Sequence, residues 1–575
     1  MVNIARFCDR VARFPAKERR KCTKSLDARA RASYNMRYRP AAPAGQHTKG
    51  EITMKKLTSC MAVMLALCML VSSAMACSAI YVGSALTSDG TTFFARSEDL
   101  SNSRNKVMYV SPQGNHTAGE EYAGCYGFTY TFTHDSYAYT AFRDDNLDGV
   151  DFVCPNCGGT HAHTPYEAGG TNEKGVSVSA TETLYGDDAL LAIDPYEDCG
   201  IEEAEITTVI LSEAATAREG VELILSIYDN AGCNAGAGIF VADHSETWYI
   251  ENVTGHQYVA LRMSDCAVFS EPNMSIIGRI DLDDENVIAS PDLIATAVKA
   301  GTFVGDADAN VIDYRASYNA SQTANARLKS ALAYFNAAYQ FADTEPDPAL
   351  YCLTNVGEDG AIVPLHTGIE LEHAYGIADV VGYYKIPGIG KTGNLETHIF
   401  QIASEHGLTD TVEWVAIDDA SCNVFVPFYP MLTRDVYAAC KVSTAKAAFV
   451  EEEPTEGVYY ATTTTRRDAE GKRVSVPGFK VLPANWADSY YWSVDAVSNM
   501  VAYGEMGEDV NSAVLARLDD RQKEVYAAFE EMKAAVAAAE TAEEMAEIAT
   551  QASMDMQSGV HALMVKLMEM ISRVK

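Results

Sequence analysis

Cys77 follows a segment that predicts where the working protein begins. Residues 55–56 are both lysine, and the apolar stretch after them ends in Ala74-Met75-Ala76. A short basic region, an apolar core and small residues at positions −3 and −1 are the features of a secretory signal peptide. Cleavage after Ala76 would make Cys77 the first residue, so that its thiol and its freed α-amine could serve as nucleophile and base.

Two other roles are open for Cys77. It could be the acylated residue of a lipoprotein, although such signals favour Leu near position −3 and this chain has Ala74. It could also form an ordinary disulfide, since nine further cysteines follow it. Nine is an odd number, so these cannot all pair with one another, and the sequence does not give the connectivity.

Arg96 and Asp99 are the polar residues best placed to act on the Cys77 thiol. Ser88-Asp89-Gly90 is a hairpin turn signal, and it predicts that the strand containing Arg96 returns beside the strand after Cys77. A guanidinium near the sulfur would lower the pKa of the thiol, and a carboxylate near the α-amine would hold that amine in place. The pattern alone favours the alternative that Arg96 and Asp99 form a surface ion pair.

Two segments contain metal-ligand types, and neither predicts a catalytic metal. Cys154, Cys157, His161 and His163 could bind zinc, but an exported Cys-x-x-Cys can also be a disulfide, free thiols or a redox pair. Residues 144–149 resemble half of a calcium loop that lacks the acidic residue at its twelfth position, which favours a solvated acidic turn. We therefore predict no cofactor and no metal in catalysis.

Composition divides the chain into a leader and an acidic working region. Residues 1–53 are basic and without periodicity, which predicts a non-structural extension or an upstream start, and residues 54–76 are the signal peptide. The net charge of −35 argues against nucleic-acid binding, and no apolar run beyond the signal is long enough to predict a membrane span. We place the main domain at 77–505, with a loop-rich insertion over about 113–170, and a C-terminal helical hairpin at 506–575.

The hydrophobic patterns predict an α+β protein. Strands are expected from Cys77 to about Thr183 and over 238–263, and helices over 201–231, from about 287 to 301 and over 325–341. The last helices are expected to break near Thr541. Blocks of strands flanked by blocks of helices suggest two sheets between helical layers.

The order of short motifs resembles the N-terminal-nucleophile (Ntn) dipeptidases of the A/D type, which are relatives of the choloylglycine hydrolases and penicillin V acylases. The resemblance covers most of residues 77–505 and is carried by these motifs: Cys-Ser-Ala-Ile-Tyr-Val-Gly from 77, Ala-Arg-Ser-Glu-Asp at 95–99, Asn-Glu-Lys-Gly at 172–175, Ser-Ala-Thr-Glu-Thr at 179–183, Gly-His-Gln-Tyr-Val-Ala at 255–260, Glu-Pro-Asn at 271–273, Glu-Thr-His at 396–398 and Val-Pro-Phe-Tyr at 426–429. It implies a four-layer αββα sandwich, here with a C-terminal helical extension.

The resemblance also assigns roles in catalysis. It makes Cys77 the nucleophile and places Arg96 by the sulfur. It assigns Asp99 to hold the α-amine of Cys77 that cleavage frees. It matches Asn273 to a pocket asparagine that hydrogen-bonds the amine and the reaction centre, and Arg327 to a later pocket arginine.

Two further residues are assigned to the substrate and oxyanion region. Asn172 opens the turn of the Asn-Glu-Lys-Gly motif, where capping that turn is an equal alternative. Glu182 falls where the acylase relatives have an oxyanion asparagine, so a backbone N–H could supply that donor instead.

These inferences predict an exported cysteine dipeptidase, periplasmic or extracellular, that cleaves dipeptides through an acyl-enzyme. The enzymatic alternative is an acylase of the bile-salt or penicillin V type on the same fold. A non-catalytic surface protein, lipid-anchored at Cys77, is the alternative from another class. The expected partners are small peptide substrates, with neither nucleic acid nor a membrane span, and a homo-oligomer is compatible with the sequence.

Overall fold

The computed structural model of the chain describes residues 77–99, 106–124, 127–144, 151–153, 160–162, 167–335, 346–357, 360–369, 371, 373–442, 447–467, 473–503 and 506–572. Its α-helices are α1 Asp188–Leu191, α2 Glu203–Glu213, α3 Ala217–Ala231, α4 Leu293–Ala300, α5 Tyr314–Tyr318, α6 Ala326–Phe335, α7 Ile377–Tyr384, α8 Tyr490–Tyr503, α9 Glu508–Ala538 and α10 Ala542–Ser572. Its strands are β1 Ser78–Val82, β2 Thr92–Asp99, β3 Lys106–Ser111, β4 Glu121–Ala123, β5 Thr129–Thr131, β6 Tyr139–Asp144, β7 Asp151–Val153, β8 Thr160–Ala162, β9 Glu167–Asn172, β10 Ser177–Leu184, β11 Gly236–Ala242, β12 Thr247–Asn252, β13 Tyr258–Arg262, β14 Val268–Glu271, β15 Arg279–Asp281, β16 Val287–Ala289, β17 Gly305–Asp306, β18 Val311–Asp313, β19 Thr354–Val356, β20 Ile362–His366, β21 Asn394–Ile402, β22 Thr411–Ile417, β23 Val426–Phe428, β24 Ala448–Val450, β25 Tyr459–Arg467 and β26 Arg473–Val481. Helices and strands are therefore mixed along the chain.

Two antiparallel sheets form the centre of the fold. The six-stranded sheet has the order β14-β1-β2-β21-β22-β23, and the eight-stranded sheet has the order β16-β13-β12-β11-β10-β9-β6-β3. The first hairpin, β1–β2, pairs Ala79 with Arg96. Its connection contains the predicted turn, in which Gly90 has φ +81° and the Asp89 side chain accepts a hydrogen bond from the backbone N–H of Thr91 at 3.1 Å. A positive φ of this size suits glycine, which explains why glycine stands here.

The two sheets face each other through an aromatic core. Phe94 of β2 stacks on Phe240 of β11 with ring centroids 5.3 Å apart, and on Phe400 of β21 at 4.4 Å. Side chains alternate along a strand, so neighbouring residues of β1 and β2 point to the opposite face of the six-stranded sheet. That opposite face packs against the C-terminal helices, where Trp414 contacts Phe529 of α9 at 4.9 Å between ring centroids.

The outer face of the eight-stranded sheet is covered by α2 and α3. Apolar residues of both helices share one core cluster with the strands that they cover, including Val209, Val221, Ile239 and Ile250. A helix was predicted over 201–231, and the structure has two, because residues 214–216 interrupt the helical backbone before Thr216 caps α3. The helices are thereby fixed to the sheet from which part of the site is built.

Two segments differ from the sequence prediction. The loop-rich region 113–170 supplies β6, which lies between β3 and β9 in the eight-stranded sheet and buries Tyr139, Ala141 and Phe142. Residues 287–289, predicted as part of a helix, form the edge strand β16, and only residues 293–300 are helical. Pairing with β13 explains this difference, since a tertiary contact overrides a short ambiguous apolar run.

At the C-terminus, α9 ends at Ala538 and α10 begins at Ala542, on either side of the break expected near Thr541. Within the part of the chain that the structure describes, none of the helices combines the length and the apolar character needed to cross a membrane.

Candidate active site

Cys77 lies at the start of β1, where the structure brings three segments together. Its side chain is buried, with 5% of the residue exposed. Strand β14 pairs with β1 so that Ala79 lies opposite Glu271, where β14 ends. The turn that follows, with Pro272 and Asn273, is held near the start of β1 because Arg327 donates hydrogen bonds to the backbone carbonyl oxygens of both Cys77 and Pro272.

Arg96 reaches the sulfur of Cys77 from the neighbouring strand. Its Nη2 donates a hydrogen bond to the Cys77 Sγ at 3.4 Å, and its Nη1 donates to the carbonyl oxygen of Ala168 at 2.9 Å. The residue is 1% exposed. The guanidinium of Arg96 is therefore buried against a thiol. The alternative of a surface ion pair, which the sequence left open, does not apply to this residue.

Glu203 is a member of this site that the sequence analysis missed. Its carboxylate forms an ion pair with Nη2 of Arg96 and accepts a hydrogen bond from the backbone N–H of Glu182 at 2.8 Å. It is the first residue of α2, where the positive end of the helix dipole favours a carboxylate. Arg96 is therefore shared between a neutralising carboxylate and the thiol.

Burial raises the pKa of the Cys77 thiol above its ordinary value. The Arg96 guanidinium lowers this pKa, the carboxylates of Glu203 and Asp99 raise it, and a hydrogen bond with the Thr181 side chain lowers it. Since burial is the largest of these effects, the thiol is held in its protonated form near neutral pH. A base is needed to take its proton when it attacks.

Asp99 has different partners from those expected. Its carboxylate forms an ion pair with Lys391 at 2.8 Å and accepts a hydrogen bond from the Asn394 side-chain amide. Burial raises the pKa of the Asp99 carboxyl, while Lys391 opposes that rise. Cys77 is joined to Ala76 in this chain, so the predicted contact between Asp99 and a free α-amine is one that cleavage would have to create.

Asn273 offers an amide to the site. Its backbone has φ +62°, a left-handed conformation that asparagine tolerates better than most residues. The turn is held by Glu271, whose carboxylate accepts a hydrogen bond from the backbone N–H of Met274 at 3.0 Å. Both side-chain polar atoms of Asn273, Nδ2 and Oδ1, are buried and have no hydrogen-bond partner among the described residues. A buried unpaired amide is costly, and its retention near the start of β1 indicates a group kept for a ligand.

Arg327 also lies in the site, as the resemblance implied. It donates hydrogen bonds to the backbone carbonyl oxygen of Cys77, to the Ser78 hydroxyl at 3.0 Å and to the carbonyl oxygen of Pro272 at 2.7 Å. The Asn325 side chain caps the start of α6 by accepting a hydrogen bond from the backbone N–H of Arg327 at 3.0 Å. Arg327 thus ties the start of β1 to the turn that contains Asn273.

The two residues assigned to the substrate and oxyanion region lie differently. Asn172 makes its hydrogen bonds within the fold: its Nδ2 donates to the carbonyl oxygens of Leu211 and Ala214, and its Oδ1 accepts from the backbone N–H groups of Lys174 and Val176. These contacts describe the capping alternative. The Glu182 side chain is exposed, and the bond from its backbone N–H to Glu203 is its link to the site.

The other sequence features add no described ligand to this pocket. Cys154, Cys157 and His163 lie outside the described residues, and only the backbone of His161 is described, in β8. Residues 145–149 of the calcium-like segment also lie outside the described residues. The described cysteines at 233, 352, 422 and 440 are free thiols, as is Cys77.

Part of the chain matches known proteins in sequence. Residues 76–351 match Peptidase family C69. The chain is 38% identical over 230 residues to "Probable dipeptidase B" of Streptococcus pyogenes serotype M1, an alignment that covers 40% of this chain and 43% of the relative. It is 33% identical over 246 residues to "Probable dipeptidase" of Salmonella dublin, covering 42% and 53%. The chain thus spans about half the length of the curated relatives that it matches.

Among solved structures, a mutant conjugated bile acid hydrolase from Clostridium perfringens aligns with 12% identity and a TM-score of 0.27, covering 59% of this chain and 89% of that one. The sequence match is the informative comparison, since it begins one residue before Cys77 and contains Arg96, Asp99, Asn273 and Arg327. Residues 76–351 are thus similar to Peptidase family C69, and the relatives that match the chain are named as probable dipeptidases, in agreement with the resemblance of its sequence motifs.

Proposed function

We propose that this protein is an exported cysteine dipeptidase in which Cys77 is the N-terminal nucleophile. The observation that carries the proposal is the buried thiol of Cys77 with the Arg96 guanidinium on its sulfur, and a turn held close by through Arg327 contains Asn273, whose amide has no hydrogen-bond partner among the described residues. The family match over residues 76–351 and the names of the relatives support peptide hydrolysis. The fold that we infer is the four-layer αββα Ntn sandwich, with α2 and α3 on one side and α8 to α10 on the other.

The reaction begins with a proton transfer within one residue. Signal-peptide cleavage after Ala76 frees the α-amine of Cys77, and this amine takes the thiol proton directly or through a water molecule. The need for a base follows from burial, which holds the thiol protonated. Arg96 favours the thiolate as it forms, because its guanidinium lies 3.4 Å from the sulfur.

The thiolate then attacks the scissile carbonyl carbon of a dipeptide. A carbon–sulfur bond forms, and negative charge collects on the carbonyl oxygen. The Nδ2 of Asn273 is the side-chain donor available to that oxygen. The carbon–nitrogen bond breaks, the leaving amine takes a proton from the Cys77 ammonium, and water then hydrolyses the thioester to release the second amino acid.

The test uses the full chain expressed with its own leader. The mass of the secreted product gives its N-terminus, and activity is measured on a panel of dipeptides and on a conjugated bile salt. We expect a mature protein that begins with free Cys77, cleaves dipeptides and loses nearly all activity in the Cys77→Ser variant. Arg218→Gln, on an exposed ion pair of α3, is the matched control and should keep parental kinetics.

Other outcomes identify the alternatives. Cleavage of the bile salt without cleavage of dipeptides would assign the protein to the acylases. A Cys77 mass increased by lipid, together with no turnover, would assign it to anchored surface proteins. Replacing Ala74 and Ala76 by bulky residues should block cleavage and keep the amine of Cys77 in a peptide bond. Full activity in that uncleaved variant would show that the base lies elsewhere.

A further inference from the structure

Two loops from different sheets meet at the end of the fold remote from Cys77. One is the four-residue turn between β11 and β12, which contains His244, and the other is the loop between β21 and β22, which contains His406 and ends at Asp410. Asn394, which contacts Asp99 of the active site, is at the opposite end of β21. The nine residues of β21 span roughly 25–30 Å at about 3.3 Å per residue, so the two sites are well separated.

The side chains of these three residues converge. One possible ligand atom from each of His244, His406 and Asp410 lies within 4.8 Å of the others. The imidazole rings of His244 and His406 have centroids 4.3 Å apart, and Nδ1 of His406 lies 3.2 Å from Oδ2 of Asp410. In a tetrahedral zinc site with bonds of about 2.0–2.1 Å, neighbouring ligand atoms lie roughly 3.3 Å apart. The pair of His406 and Asp410 already has this spacing, and the His244 ligand atom lies within 4.8 Å of both.

The backbone around these residues is held in place without a metal. In the first turn, the Asp243 carboxylate accepts hydrogen bonds from the backbone N–H groups of Ser245 at 2.7 Å and Glu246 at 3.1 Å. In the second loop, the buried carboxylate of Asp410 accepts from the backbone N–H of Gly407 at 3.2 Å. The backbone of both loops and the Asp410 carboxylate therefore lose little conformational freedom when the site binds an ion, whereas the two imidazole rings are left to be ordered by it.

We propose that His244, His406 and Asp410 bind one divalent zinc ion, with water as the fourth ligand, and that this ion clamps the eight-stranded sheet to the six-stranded sheet. Two imidazoles and one carboxylate suit Zn²⁺, whereas Ca²⁺ and Mg²⁺ prefer oxygen ligands alone. The site joins two loops that are far apart in sequence, so the ion stabilises the fold. Its distance from Cys77 separates this role from catalysis.

The experiment compares zinc binding in the parent chain and in variants. The full-length protein is stripped with EDTA and titrated with zinc sulfate, and bound zinc is measured by isothermal titration and by elemental analysis after desalting. Because Cys154, Cys157 and the nearby histidines could hold another ion, the measured quantity is the difference in stoichiometry between parent and variant. We expect His406→Ala and His244→Ala to bind one equivalent less, or to bind that equivalent at least 10–100-fold more weakly.

His373→Ala is the matched control. His373 is exposed and forms a pair with Asp379 at 3.0 Å, but the described residues hold no third ligand there, so this variant should bind zinc like the parent. Asp410→Asn removes a charge while keeping the shape of the loop, and it should also lose the equivalent. Zinc should raise the unfolding temperature of the parent and of His373→Ala, but not that of the three site variants.

The proposal is independent of the proposed function because its readouts are stoichiometry and unfolding temperature. Unchanged zinc stoichiometry and an unchanged zinc-dependent rise in unfolding temperature in His244→Ala and His406→Ala would overturn it. An equal loss in His373→Ala would also overturn it, because the effect would then come from exposed histidines in general. If dipeptide turnover by the parent survives EDTA, the result agrees with a structural ion. If turnover is lost with EDTA and zinc restores it only when His406 is present, the result refutes the claim that this ion has no part in catalysis.

Discussion

The guanidinium of Arg96 is shared between the Cys77 sulfur and the Glu203 carboxylate, and the two partners have opposite effects on the thiol. Arg96 lowers the pKa of the Cys77 thiol and Glu203 raises it. We therefore predict that Arg96→Gln and Glu203→Gln change the reactivity of Cys77 in opposite directions. Glutamine at 203 keeps a carbonyl oxygen that can accept the bond from the backbone N–H of Glu182.

The size of the effect follows from the geometry. The distance from Nη2 of Arg96 to Sγ of Cys77 is 3.4 Å, and the charge is spread over the whole guanidinium, so about 4 Å is a suitable separation of charges. At an effective dielectric constant of about 20 this gives roughly 4 kcal/mol of attraction for the thiolate. Glu203 is present in both the parent and Arg96→Gln, so its repulsion cancels in the comparison, and losing the whole attraction sets an upper limit of roughly 1,000-fold on the fall in rate.

The assay is the rate of alkylation of Cys77 by iodoacetamide across pH, together with kcat/KM on a dipeptide. Alkylation is read on the peptide that contains Cys77 by mass spectrometry, so that reaction at other cysteines is not counted. At a fixed neutral pH we expect Arg96→Gln to slow the reaction at Cys77 and Glu203→Gln to accelerate it by a few-fold up to about tenfold. Lys480→Met breaks a buried ion pair with Asp495 outside the site and controls for general destabilisation.

Arg96→Gln leaves the Glu203 carboxylate buried without its cation, which can destabilise the fold. The double variant Arg96→Gln/Glu203→Gln removes both charges and isolates their coupling. Changes in the same direction for the two single variants, or parental alkylation rates in both, would refute the electrostatic account of the site. Changes in unfolding temperature alone would reduce the pair to a structural role.

Three further predictions test other parts of the molecule. Asn273→Gly keeps the left-handed backbone and removes the side-chain amide, so kcat/KM should fall by about 100–1,000-fold with little change in unfolding temperature. Asn273→Ala should show the same fall in kcat/KM and also lose about 1 kcal/mol of stability. Parental kinetics in both variants would remove Asn273 from the mechanism. Asp99→Asn should lower kcat and alter the pH–rate profile while changing Cys77 alkylation less than Arg96→Gln does, and the opposite ranking would contradict the roles assigned to them. Burial raises the pKa of Glu413 from 4.5 to about 8, so the folded state holds the proton more tightly than the unfolded state and stability should fall as pH rises from about 4.5 to 8. Glu413→Gln should remove this dependence and raise the unfolding temperature at pH 8 but not at pH 4; an unchanged pH dependence would show that Glu413 is ionised in the fold.

Local signals in the sequence were sufficient for much of the fold. The Ser88-Asp89-Gly90 turn gave the first hairpin, and helical periodicity located α2, α3 and α6. Strand β6 was missed because its six residues lie within a long segment rich in turn residues, and their pairing partners in β3 and β9 lie well before and after them. The sequence predicts a helix where β16 lies, because an apolar run of three residues has no period of its own.

The same distinction applies to the site. The hairpin that places Arg96 beside Cys77 is a local feature, so the sequence could predict it. Glu203 comes from a helix 107 residues after Arg96, and nothing in its neighbourhood separates it from the other acidic residues at the start of α2. A carboxylate that acts only through a tertiary ion pair has no signature in spacing.

The charges around Cys77 connect the uncleaved chain with the proposed mechanism. Asp99 and Glu203 raise the pKa of the Cys77 thiol, so these two carboxylates disfavour the negatively charged thiolate. The same carboxylates would stabilise a positive charge on the α-amine of that residue, since opposite charges nearby favour the ionised form. An N-terminal ammonium would in turn favour a thiolate on its own side chain. Cleavage before Cys77 would therefore convert surroundings that suppress the nucleophile into surroundings that hold the proton it releases, which is the order of events that an enzyme activated on export requires.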